Sequence, residues 1–403
     1  MITRRFLLQS AAAAAAYSAQ GVRVARAENA PGVTETEIKI GQTMPYSGPV
    51  SAYGVIGRTE LAYFKMINDQ GGINGRKITL ISLDDGYSPP KTVEQTRRLV
   101  EQEQVAFIFG TVGTAPNTAI CAYLNENKIP QLFIASGVSK FADPQRLPWT
   151  ITFDPIRRSE GRLFAKYIVT TTPDAKIGVL YQNDDLGRDY LAGVWEGLGA
   201  DHDAMLAKAV SYEVSDPTVD SQIITLQGAG VDSLIIAATP KAAAQAIRKS
   251  YDLGWAAERY LVTIASSITA VLKPAGLEKS KGVITTLLGK DPTDPRWKDD
   301  PDYKGWAAFV TRYMTPAELT ELFAAYGYGV ATLMTYVLKR CGDDLSRENI
   351  MRQATTIKDY VGPFALPGAK INTSPDDYRV NRRFQLARFT GANWEPFGEL
   401  LTD

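Results

Sequence analysis

Histidine is almost absent from this sequence: His202 is the only one, and it stands in the polar run Asp201-His202-Asp203 just after a helical pattern. A Ser–His–Asp arrangement would have no base other than His202, whose setting reads as a solvated turn. Cysteine is nearly as scarce. Cys121 and Cys341 are the two present, far apart in the chain, so metal sites built from His and Cys clusters are excluded. The two thiols could pair in an oxidising compartment or remain as buried thiols. Net charge is missing as well: 44 basic residues balance 44 acidic ones, which removes the electrostatic footprint of a nucleic-acid or anionic-membrane binder. No G-x-x-x-x-G-K-[ST] loop occurs, and the first strand pattern runs into Gly41-Gln42-Thr43-Met44-Pro45 rather than G-x-G-x-x-G, which disfavours a nucleotide site. The acid pairs Asp84-Asp85, Asp184-Asp185 and Asp299-Asp300 read as turns rather than as a glycosidase pair. What is left is binding without turnover, with no cofactor and no metal.

What is present is the composition of a folded protein. Hydrophobic residues make up 45% and charged residues 22% of 403, the balance of a globular chain long enough for two domains of ordinary size. Residues 1–27 read differently. Arg4-Arg5 precedes Phe6-Leu7-Leu8, an apolar run continues through Ala11 to Ala16, and Ala25-Arg26-Ala27 supplies an A-x-A pattern. That is the layout of an export signal, and its paired arginines resemble the twin-arginine kind. The run falls short of the about 20 residues that span a bilayer, and no Cys stands at the expected cut. A released, periplasmic protein starting near Glu28 is expected.

From Glu37 onward, apolar strand patterns alternate with amphipathic helical ones. Residues 38–41, 77–82, 105–110 and 131–135 read as strands, with helices over 57–69, 90–104 and 116–127 between them. After Pro155 the pattern starts afresh, with strands at 177–181, 233–238 and 260–264 and helices at 161–170, 187–198 and 241–253. Two successive β-α-β-α arrays predict two mostly parallel sheets covered by helices, an α/β fold. In such sheets ligands sit beyond the carboxyl ends of the strands. The segments leaving those ends are residues 46–54, 111–116, 136–139, 183–187 and 239–240, rich in Gly, Ser, Thr and Pro and poor in charge.

Several motifs fall along this pattern in a fixed order. They are Ser47-Gly48-Pro49 with Tyr53-Gly54, then Ile67-Asn68-Asp69-Gln70-Gly71-Gly72-Ile73-Asn74-Gly75, Asp84-Asp85, Asp184-Asp185-Leu186-Gly187, and Val361-Gly362-Pro363. Each is weak alone. In this order and spacing they resemble the branched-chain-amino-acid (Leu/Ile/Val) type of periplasmic binding protein, from Ile38 to the neighbourhood of Phe397. The resemblance implies the type I fold of that family: two Rossmann-like lobes with mostly parallel sheets, joined by a three-segment hinge and closing on a small solute. Lobe 1 would comprise residues 33–152 and 286–362, and lobe 2 residues 153–285 and 363–403. The helical segment 316–339 would return to the first lobe. The implied partners are a small-molecule carboxylate and an ABC permease, with no nucleic acid and no enzymatic step, and a monomer is expected.

Carried over by position, the first lobe's ligand contacts fall on Tyr53, Val112, Thr114, Ser136, Gly137 and Ser139, whose hydroxyl and backbone N–H groups would hold a carboxylate without a counter-charge. In the second lobe the positions are Leu186, Thr239 and Ile264, with Phe323, Tyr326 and Tyr328 near the hinge. Here the sequence departs from the family. The aromatic residue usual before the Gly of the D-x-x-Y-G motif is Leu186, and a position often Tyr is Thr239. The acid that receives an amino acid's ammonium group falls near Ile264, in a stretch without acids. Burying an ammonium without a partner is costly. Unless Asp184 or Asp185 turns inward, the ligand lacks an α-amino group. The expected ligand is an aromatic or other apolar carboxylic acid, since related binding proteins take benzoates and cinnamates. A branched-chain amino acid is the alternative, and a ligand-sensing regulator on the same fold a second one.

Overall fold

The computed structural model describes residues 29–402; the export signal expected over residues 1–27 lies outside them. The first sheet joins β1 (Glu37–Met44), β2 (Lys77–Asp84), β3 (Phe107–Phe109), β4 (Gln131–Ile134) and β5 (Thr150–Thr152) in the order β2-β1-β3-β4-β5. Every pair in it is parallel. β3 and β4 are buried at every position, as strands covered on both faces must be, and the polar Gln131 in β4 is paired through its side chain with Asn117 and Thr150. The covering helices are α1 (Gly54–Asp69), α2 (Pro89–Arg97) and α3 (Thr114–Glu126). The helix expected over 90–104 ends earlier: α2 passes into a π-type turn, Arg98–Gln102.

The second sheet repeats that order. β6 (Ile177–Gln182), β7 (Leu206–Tyr212), β8 (Ser233–Ala237), β9 (Glu258–Leu261) and β10 (Ile284–Leu287) run β7-β6-β8-β9-β10, all parallel. β11 (Arg383–Phe389) and β12 (Trp394–Thr402) extend it as antiparallel strands beyond β10. β7 is an edge strand with mostly exposed or half-buried residues, so its apolar signal in sequence is faint. Helices α4 (Arg157–Thr171), α5 (Asp185–Leu198), α6 (Asp220–Gly228) and α7 (Pro240–Asp252) cover this sheet. The strand expected at 260–264 stops at Leu261, because the N–H of Thr263 leaves the ladder to donate to Glu160 at 2.7 Å.

After β10 the chain returns to the first lobe through α8 (Pro301–Tyr313), a 3-10 turn at Pro316–Thr320, α9 (Leu322–Cys341) and α10 (Arg347–Ala354). Trp306, Phe309, Leu333 and Met334 join the core of the first lobe, and so do Phe364, Ile371, Tyr378 and Val380. Phe364 packs edge-on against Trp306 with ring centres 6.0 Å apart. The packing thus carries the first lobe past residue 362, to just ahead of β11. Both cysteines are free: Cys341 is buried in this core and Cys121 is half-buried against a different cluster.

The two lobes therefore share one winding, and in it the strand order reverses between β1 and β3 and again between β6 and β8. Crevices open at such reversals. Helices α4 and α5, which start beside the second one, pack face to face through Phe164, Ala165, Tyr190 and Val194. A Cβ at Gly193 would stand 2.0 Å from the carbonyl oxygen of Arg158, so only glycine lets the helices approach this closely. Gly193→Ala is expected to lower stability by about 1–3 kcal/mol through overpacking. A shifted urea midpoint at unchanged slope would show it; an unmoved midpoint would mean that the two helices part freely.

Candidate ligand-binding cleft

Between the lobes lies a cavity of about 200 Å³. Strand ends feed it from both sheets, so helix N-termini surround it. Tyr53 precedes α1, Thr114 and Arg157 open α3 and α4, Leu186 lies in the first turn of α5, Thr239 immediately precedes α7 and Phe323 lies in the first turn of α9, and all six border the cavity. Helix N-termini carry unpaired N–H groups and the positive end of the dipole, a setting that favours anions. Val112, Phe153, Leu186, Ile264 and Phe323 supply apolar wall between them. The phenol ring of Tyr53 packs on Phe323 at 4.9 Å.

Polar groups on the wall are mostly engaged with one another. Thr114 and Ser136 share a hydrogen bond of 2.7 Å between their hydroxyls. α3 can begin there because Gly113 holds φ at +104°, with the ring of Tyr87 where a Cβ would stand. Thr239 is bonded at 3.1 Å to the hydroxyl of Tyr212. The Tyr53 hydroxyl donates to the carbonyl oxygen of Ile264 at 2.9 Å, across from one lobe to the other. Further contacts join the lobes: Ser139 donates through Oγ to Asp189 at 2.8 Å, Lys140 donates to Asp185 at 2.6 Å, and Ser267 and Thr269 donate to Glu321 and to the Thr320 carbonyl at 2.9 and 3.0 Å.

Two polar groups on the wall, Arg157 and Asp291, are not fully engaged among the described residues. Arg157 is only 1% exposed and borders the cavity. Its Nη2 donates to Asp154, and its Nη1 lies 3.7 Å from Glu160. Nε and Nη1 have no hydrogen-bond partner among the described residues. The neighbouring acids are full. Asp154 also accepts from the Tyr326 hydroxyl at 2.8 Å, while Glu160 accepts from the Tyr190 hydroxyl, from Thr263 through both N–H and hydroxyl, and from the Thr286 hydroxyl. Burial works against the charge of Arg157, but Asp154, Tyr190 and Glu160 outweigh it and hold its pKa above the ordinary value. What this cluster offers the cavity is therefore donors.

Nine of the residues picked from the sequence border the cavity: Tyr53, Val112, Thr114, Ser136, Leu186, Thr239, Ile264, Phe323 and Tyr326. Gly137 and Ser139 stand beside it instead. The Gly137 carbonyl accepts from the N–H of Arg157 at 2.8 Å, with no room for a side chain against Pro155, and Ser139 is held by Asp189. Tyr328 packs into the first-lobe core on Tyr63, Trp306 and Phe309. Neither of the paired acids turns inward. Asp184 caps α5 by accepting from the N–H groups of Leu186 and Gly187, and burial raises its pKa in spite of those bonds. Asp185 pairs with Lys140 and Arg188, which lower its pKa. Tyr87, Asp154, Arg157 and Asp291 border the cavity and were not singled out from the sequence. The spacing of Asp154 and Arg157, three apart around the Pro155 at which the helical pattern restarts, was the available signal; Asp291 left none.

The sequence profile of the family described as "Periplasmic binding protein" matches residues 37–393. A curated relative described as Leu/Ile/Val-binding protein homolog 1, from Brucella suis, is 24% identical over 336 residues, which cover 81% of this chain and 85% of that one. Among solved structures, a branched chain amino acid ABC transporter protein from Thermus thermophilus with bound valine superposes with a TM-score of 0.83 at 14% identity, covering 92% of this chain and 98% of that one. An ABC transporter solute binding protein from R. palustris in complex with benzoate gives a TM-score of 0.76 at 19% identity, with 91% and 98% covered. At these identities the likeness is one of fold.

The buried cluster makes a prediction about stability. Asp154→Ala removes the hydrogen-bonded partner of Arg157, leaves it only Glu160 at 3.7 Å and strands the Tyr326 hydroxyl, and is expected to cost about 3–5 kcal/mol. Replacing both ions, as Asp154→Leu with Arg157→Met, should recover most of that loss in chemical unfolding. A double variant no more stable than the single one would show that the ion pair itself supports the hinge.

Proposed function

The chain belongs to the periplasmic binding protein family, and from that premise we propose that it is the solute-binding component of an ABC importer, closing by a hinge motion on an aromatic or other apolar carboxylic acid. The observation that carries the reading is the buried Arg157, which borders an apolar cavity ringed by helix N-termini and whose Nε lacks a hydrogen bond among the described residues while Nη1 has only the Glu160 carboxylate at 3.7 Å. Guanidinium donors left without partners in a dry site cost free energy that a carboxylate oxygen recovers. The hydroxyls of Thr114 and Ser136 stand ready to add neutral donors. The site is chemically asymmetric in the way such a ligand requires: apolar walls for its body and donors for its head. The solute binding protein from R. palustris with benzoate is a relative of the same fold that holds a ligand of this class.

An α-ammonium finds less support. Ile264 occupies the wall at the position where the family has an acid, Asp184 and Asp185 are engaged elsewhere, and both oxygens of Asp154 are already bonded, which leaves Asp291 as the cavity-lining acid with an unbonded oxygen among the described residues. A branched-chain amino acid remains the second reading, favoured by the bound valine of the Thermus thermophilus protein and by the Brucella suis relative's description. The paired arginines of the leader support export to the periplasm, where such a component meets its permease.

Thermal-shift screening of refolded, ligand-free mature protein against aromatic acids, aliphatic acids and amino acids tests the reading. A ligand at a hundred times its dissociation constant stabilises the fold by about 2.7 kcal/mol. A shift with apolar acids and none with leucine or valine is the expected outcome; the reverse would replace the first reading with the second. Thr114→Ala is expected to weaken binding of the cognate acid by about 1–3 kcal/mol, measured by calorimetry. Unchanged affinity would remove Thr114 from the site.

A further inference from the structure

We infer that the solute carries a hydroxyl group remote from its carboxylate, and that Asp291 receives it. The inference rests on the carboxylate reading above. Asp291 lies on the second crossing between the lobes, just past the end of β10. It is 3% exposed and borders the same cavity as Arg157. Its Oδ1 accepts from the N–H and the hydroxyl of Thr293 at 2.7 and 2.6 Å. Its Oδ2 is buried and has no partner among the described residues. A buried carboxyl oxygen in that condition is destabilising until a polar group meets it.

Asp291 and Arg157 share no bonded partner. Asp291 is held within its own loop by Thr293 and by the N–H of Asp294, whereas Arg157 is held by Asp154 and lies beside Glu160. A ligand that serves both has polar groups at two places and an apolar body to match the wall to which Phe323, Leu322 and Leu287 contribute. An α-amino acid, whose two charges share one carbon, does not have that layout. Burial raises the pKa of Asp291, so the second ligand group must suit a carboxyl in either protonation state. A hydroxyl donates to the carboxylate and accepts from the carboxylic acid. An ammonium suits only the first, and a second carboxylate only the other.

Calorimetric titration tests this with benzoate and its monohydroxy isomers, hexanoate, 6-hydroxyhexanoate and 6-aminohexanoate, alongside leucine and valine. At least one hydroxylated acid should bind the native chain about tenfold or more tightly than its parent acid. In Asp291→Ala that preference should vanish while the parent acid keeps its affinity, which also reports that the variant is folded. Asp291→Asn should retain part of it, since the amide can donate to a hydroxyl. Parent acids that bind as tightly as their hydroxylated partners, or a preference that survives in Asp291→Ala, would overturn the inference and leave the carboxylate reading standing. Tighter binding of 6-aminohexanoate than of 6-hydroxyhexanoate would overturn the hydroxyl assignment. Binding of leucine or valine with no response to any acid would remove the carboxylate reading and this inference together.

Discussion

A guanidinium in the interior of a protein constrains everything near it. Arg157 must have partners, because an isolated buried charge is prohibitively costly. Asp154 and Glu160 supply the opposing charge from the same turn of chain, at the third residue before and after it. They in turn need donors, which arrive from Tyr190 on α5, Thr263 past β9, Thr286 in β10 and Tyr326 on α9. One charge thereby ties the first crossing to elements of both lobes. The interruption of the expected strand at 260–264 follows from the same demand, since Glu160 takes the Thr263 N–H that the ladder would otherwise use.

The fold was largely legible in the sequence for a simple reason. Continuous apolar runs such as Phe107-Ile108-Phe109 and Leu234 to Ala237 are buried on both faces, and a two-sided environment writes itself into such runs. β7 was invisible because an edge strand imposes no such pattern. The motifs that marked the family turn out to be mostly scaffold. Ser47 holds Asp84 through both its N–H and its hydroxyl, clipping the loop after β1 to the end of β2. Asn68 pairs with both backbone groups of Ile78, fixing the end of α1 on β2. Such residues position the cleft without touching it.

The cleft was legible where position along a strand decided it and obscure where tertiary pairing did. Thr114, Leu186, Thr239 and Ile264 follow strand ends, and strand ends lead to the crevice in this winding. Gly137 and Ser139 follow a strand end too, but the first is committed to packing on Pro155 and the second to Asp189. Arg157 and Asp291 belong to the crossings between lobes, which have no periodicity to read. Their interest lies in hydrogen bonds not made, a property that exists only once the surroundings are assembled.

The contacts that bridge the lobes (Tyr53 to Ile264, Ser139 to Asp189 and Lys140 to Asp185 among them) are made wholly between protein groups. Those made by Ser139 and Lys140 lie outside the cavity lining, so in the proposed closure they contribute alike for every solute, raising all affinities by a common factor and discriminating among none. In kinetic terms, escape must wait for these bonds to break, and the dissociation rate carries a factor independent of the solute's identity. In the proposed hinge closure, residence time in the cleft would be set partly by a clasp outside the wall that the ligand touches. A partner that pulled the lobes apart would shorten it equally for good and poor ligands, and selection would already have been made at closure.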